Sequence, residues 1–118
     1  MLYVWIALAG GVGSLCRYLL WRAVTQPQAV FPAGTLAVNI SGCFCIGLLA
    51  RMVNHEVLRV VLITGFLGGF TTFSAFSLET LQLFRNGFIS SAVLYAGASN
   101  VGGVIAAWAG WRLAEISS

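Results

Sequence analysis

Lysine is missing from this 118-residue chain altogether, histidine occurs once, proline twice, and only 8% of the residues are charged. A soluble domain carries charge on about a quarter of its positions, so an ordinary water-facing surface is excluded. The charges that remain are six arginines and three glutamates. They are scattered singly, which excludes the basic patch that a nucleic-acid surface needs. The single histidine, His55, stands beside Glu56 with no nucleophile near it, so it reads as a solvated loop residue and the chain is not expected to be an enzyme. Three cysteines, Cys16, Cys43 and Cys45, lie inside apolar runs. Cys43 and Cys45 are two apart and so face different ways on a helix, which suits buried small apolar residues better than a metal or redox pair.

What is present is hydrocarbon: 59% of residues are hydrophobic and the mean hydropathy is +0.94. A spanning helix takes about 20 residues, so four spans fill the chain and make it a single all-α membrane domain. The first span is expected over Leu2 to Ala23. It lacks a basic flank and a short apolar core, and reads as a span and not as a cleavable signal. "TQPQAVFP" follows as a loop bracketed by Pro27 and Pro32. The second span is expected over Ala33 to Val53, and "NHEVLR" is the next loop. A long third segment runs from Val57 to Phe84, and after the short "RNG" turn the last span runs from Phe88 to Leu113. Such tight hairpins predict an up-down-up-down bundle.

Fourteen glycines, many in "GGVG", "GCFCIG" and the fourth span, predict helices whose backbones approach closely. A monomer packed this way leaves no room for a pore of its own, so any route across the membrane is expected between subunits of an oligomer. With four spans, Arg51, Arg59 and Arg112 fall on one side, and Arg22, Arg85 and the nearby Arg17 on the other. Basic loop residues favour the cytoplasm, but three against three is no bias. That balance suits a protein inserted both ways up, and equally an orientation set by the first residues alone.

Polar residues within spans are functional candidates because the bilayer penalises them. Thr35 and Asn39 share one face of the second helix by their i, i+4 spacing, either as interhelical glue or as donors along an anion path. "GFLGGFTTFSAFSLE", Gly65 to Glu79, concentrates glycines and hydroxyls, and predicts a break in the third helix at Gly68 and Gly69. Irregular backbone survives in a membrane only inside protein or at a water or ion site, and the carbonyls it frees are hard ligands for a small cation. Phe73 and Phe76 share a face. Their rings either pack in the core or against lipid, or turn positive edges towards an anion. Thr72, Ser74 and Ser77 add hydroxyl donors. Tyr95 and Ser99 again share a face on the fourth helix. Weak donors without lysine or arginine would hold an anion loosely enough to release it.

"GGVGSLCRY", "GTLAVNISGCFCIGLL", "GFLGGFTTFSAFSLE" and "YAGASNVGG" resemble, in order and spacing, the motifs of the Fluc-type fluoride channels, over nearly the whole chain. The resemblance implies a four-helix subunit with a broken third helix and an antiparallel, dual-topology homodimer in the plasma membrane. Two fluoride pores would run along the interface, with a sodium ion at its centre. It further implies that Asn39 donates to fluoride, that Phe73 and Phe76 present ring edges to it, and that Thr35, Tyr95 and Ser99 belong to a polar track. Glu79 would lie near a pore mouth, and the carbonyls of Gly68 and Thr71 would hold sodium. Arg17 looks like the family's first-helix arginine, read as a structural or interfacial residue before a direct attractor of anions. Ser14 stands where alanine is commoner, and Gly103 where some members have serine. A small multidrug antiporter would need a carboxylate in the first helix, and there is none. A non-transporting accessory subunit would not need the hydroxyl-rich break.

Overall fold

The computed structural model describes residues 1–117. Its elements are all helical: α1 (Leu2–Val24), α2 (Ala33–Met52), α3 (Glu56–Arg59), a π-helical stretch (Val60–Leu67), α4 (Gly68–Phe70), α5 (Phe73–Arg85) and α6 (Ile89–Ser117). Four helical segments, Leu2–Val24, Ala33–Met52, Glu56–Arg85 and Ile89–Ser117, are long and apolar enough to cross a membrane. The chain is therefore a multi-pass membrane protein whose third span, α3 to α5, is interrupted.

Helix ends follow from local chemistry. His55 is an exposed loop residue, as expected, and also ends the loop: its Nδ1 accepts the Leu58 N–H at 3.3 Å and caps α3. The turn "RNG" closes α5 because Gly87 adopts φ +83°. Its N–H then reaches Phe84 O and the Phe88 N–H reaches Leu83 O at 2.8 Å, the paired bonds that finish a helix through a left-handed glycine. Helix α6 continues past Leu113, where an Arg112–Glu115 ion pair of 3.0 Å spans its last turn.

Two tight backbone seams set the packing. Along the first, α2 lies against α6: a Cβ at Gly47 would collide with the Ala107 carbonyl, and one at Gly110 with the Phe44 carbonyl. Along the second, α1 lies against the third span, where Gly13 leaves no room for a Cβ beside Phe66 O, nor Gly69 beside Gly10 O. Side chains fill what remains. Val38, Leu67 and Phe70 form one buried cluster with Cys16 and Cys45 against it; Leu83, Ala92 and Tyr95 form a second, joined by Phe31 and Phe76. The three cysteines are free thiols.

The interruption does not fall at the glycine pair. Gly68 is helical, with φ −62° and ψ −36°, and the chain leaves the helix at Thr71 and Thr72, where ψ rises to 156° and 118°. Gly68 and Gly69 tolerate helical angles, and Gly69 serves the approach to α1. What stops the helix is the Thr72 backbone, which bonds elsewhere.

Replacing Gly47 by alanine is expected to destabilise the protein by about 2 kcal/mol, the usual scale of overpacking, because its neighbour is backbone and cannot rotate away. Gly11→Ala adds a Cβ into open space and is expected to leave stability unchanged or slightly raised. Unfolding of the purified protein in detergent separates the two.

Candidate functional site

Asn39, on α2, faces the interruption and bonds to it twice. Its Nδ2 donates to Thr72 O at 2.9 Å, while the Thr72 N–H donates to its Oδ1 at 2.8 Å. The side-chain amide thus replaces the helical partners that Thr72 has lost, in a setting where each unmet backbone group is penalised. The Thr72 hydroxyl then accepts from Ala75 N at 3.1 Å and starts α5 as an N-cap. Among the described residues, no acceptor meets the second N–H of Asn39.

Beside this pair lies an open groove of about 330 Å³, lined by Asn39, Gly68, Thr71, Phe73, Phe76 and Ser99 among others. The Ser99 oxygen is buried and has no hydrogen-bond partner among the described residues. Phe73 is 76% exposed. Its ring centroid lies 5.6 Å from that of Phe76, tilted by 41°. The hydroxyl of Thr71 is used within the helix, on Leu67 O at 2.9 Å. By contrast, among the described residues no hydrogen bond ends on the carbonyls of Gly68 and Thr71. These two oxygens are thus free to accept, and carbonyl oxygens are hard ligands.

The other expected site residues gather elsewhere. Tyr95 is fully buried and donates from its hydroxyl to Glu79 Oε1 at 2.9 Å. Thr35 donates to Oε2 of the same carboxylate at 2.8 Å. This triad is off the groove: Glu79 lines two other cavities, one of about 340 Å³ with Gln82 and Asn86 and one of about 190 Å³ with Arg17 and Thr35. Phe76 connects the two regions, since its ring also lies 5.1 Å from that of Tyr95. Arg17 is not in the groove either; its Nε donates to Gly69 O at 3.2 Å.

Sequence reasoning passed over Asn100 and Cys43, both of which line the groove. Asn100 carried a usable signal, being an amide inside an apolar span next to Ser99. Cys43 carried none that separates a lining thiol from a packed one. The Asn39–Thr72 pair joins residues 33 apart and has no periodic signature.

Comparison with known proteins follows the same lines. The sequence profile of the family described as CrcB-like protein, Camphor Resistance (CrcB), matches residues 4–111. Proteins named fluoride-specific ion channel FluC are similar along most of their length. The one from Solibacter usitatus is 46% identical, covering 98% of this chain and 99% of its own. That from Acidobacterium capsulatum is 41% identical over 93% of both, and that from Novosphingobium aromaticivorans 48% identical over 84% of both.

The paired bonds at Thr72 generate a graded expectation. Asn39→Leu strands the half-buried N–H and carbonyl of Thr72, and is expected to lower stability by about 2 kcal/mol. Thr72→Ala removes only the cap, at about 1 kcal/mol. Equal losses in denaturant unfolding would show that the amide does not hold the break.

Proposed function

Because this chain belongs to the CrcB-like family, we propose that it is a fluoride-selective channel that lets fluoride leave the cell passively. The observation that carries this reading is the groove at the broken third span, where weak neutral donors meet two aromatic rings. Fluoride is small and strongly hydrated, so each water it sheds must be replaced by a donor. The free N–H of Asn39 and the hydroxyl of Ser99 supply conventional hydrogen bonds. Phe73 and Phe76 supply positive ring edges. No full positive charge lines the groove, so the anion is bound weakly enough to move on. Export without energy input is sufficient, since fluoride enters acid-exposed cells as the neutral acid and is trapped as the anion at higher internal pH.

The groove is open on one side and the Phe73 ring is mostly exposed, so one subunit makes half a pathway. A second copy laid against this face would enclose it. The balanced arginines suit an antiparallel pairing, in which the twofold axis generates two equivalent pathways. The carbonyls of Gly68 and Thr71 from both subunits would hold a sodium ion at that axis. Bound there, the ion supplies a structural tie between the two broken helices. The setting proposed for this activity is the plasma membrane, which is the inner membrane if the cell is Gram-negative. Glu79, anchored by Thr35 and Tyr95, would lie near a mouth of the path.

Purified protein in liposomes should release trapped fluoride, as read by a fluoride electrode. Replacing both Phe73 and Phe76 by isoleucine keeps the bulk and removes the ring edges, and efflux should drop at least a hundredfold. A parent that releases no fluoride would end the channel reading. A double variant that releases it at the parental rate would end the role given to the rings.

A further inference from the structure

The interruption leaves a carbonyl that its own helix cannot satisfy. Helical continuation would pair Gly69 O with the N–H of Phe73, but Phe73 opens α5 beyond the break. Instead Gly69 O is met from α1, where the Arg17 Nε–H donates to it at 3.2 Å and the Ser14 hydroxyl at 3.4 Å. The approach is possible because Gly10 backs directly onto Gly69, and Gly13 onto Phe66 and Phe70. Gly10, Gly13, Ser14 and Arg17 fall on a single helix face by their spacing, so α1 offers the break a continuous splint.

We infer that Arg17 is a positioning residue, which fixes the shape of the break through its Nε–H on Gly69 O and not through its charge. The inference rests on reading the groove as the fluoride path. Asn39 pins Thr72 from the α2 side, and Arg17 pins Gly69 from the α1 side. Between these two anchors lie Phe70 and Thr71; Gly68 precedes them and Phe73 follows. Both carbonyls assigned to the cation and the first pore ring therefore sit within one residue of an anchor. Among the described residues no carboxylate makes a direct ion pair with the guanidinium, and Glu79 shares only the cavity of about 190 Å³ beside it, while its Nε–H has a definite partner.

Side-chain geometry makes charge and position separable. Glutamine places an amide nitrogen the same number of bonds from Cα as arginine's Nε, without charge. Lysine keeps the charge but has a methylene at that place and its ammonium one bond further out. Methionine has neither donor nor charge at similar length. Arg17→Gln, Arg17→Lys and Arg17→Met should be compared with the parent in fluoride efflux from liposomes. Hydrogen exchange of the backbone amides over residues 68–73 should be read in parallel.

Arg17→Gln is expected to keep at least half of the parental efflux and its exchange protection. Arg17→Lys and Arg17→Met are expected to lose at least tenfold in efflux and to exchange at least tenfold faster over this segment. Efflux retained by lysine and lost by glutamine would assign the residue to anion attraction and overturn the inference. Both retained, or both lost, would overturn it as well, because the Nε–H would then not be what decides. If Arg17→Met fails to fold, the glutamine–lysine comparison carries the test. A parent that releases no fluoride would count against the channel reading alone, and the exchange pattern would still decide the role of Arg17.

Discussion

Two hydrogen bonds between the Asn39 side chain and the Thr72 backbone allow a helix to stop in the middle of a membrane. In hydrocarbon the backbone has no water to turn to, so an interrupted span requires protein groups that stand in for the missing turns. Asn39 serves the Thr72 N–H and carbonyl together, and α1 serves Gly69 O. The carbonyls of Gly68 and Thr71 are among those that no described donor meets. The Thr72 hydroxyl then restarts the helix at Phe73, which sets the direction in which the two phenylalanine rings emerge.

The glycine seams make this arrangement possible. Because α1 contacts the third span through backbone at Gly13 and Gly69, a side chain as short as that of Ser14 reaches Gly69 O. Because α2 and α6 meet through Gly47 and Gly110, Asn39 and Ser99 are brought onto the rim of one groove. The same close packing fills the interior with Val38, Phe70 and Tyr95 and leaves no wide passage through a single subunit.

Much of this was legible in the sequence. Hydropathy and length determined four spans, and "GGFTTFS" announced the interrupted one. The exact place of the break was not legible. A glycine pair reads as the weakest point of a helix by propensity, but at Gly69 the glycine answers a packing need. The stop at Thr72 comes from an asparagine on another helix. The candidate site was legible as a set of residue types and not as a layout. Thr35 and Asn39 share a face by spacing, yet one bonds to Glu79 and the other to Thr72, because successive turns of α2 face different parts of the third span. His55 is solvent-exposed as the sequence suggested, but its capping bond depends on a backbone angle that the sequence does not display.

The account stands on the claim that a groove with a few neutral donors admits fluoride by replacing its water, and that the same donors do not admit chloride. The direct measurement is paired efflux of fluoride and chloride from liposomes containing only this protein, with the membrane potential shunted by a potassium ionophore. The account predicts rapid loss of fluoride while chloride is retained to within the leak of protein-free vesicles. Chloride leaving at a rate comparable to fluoride would contradict it.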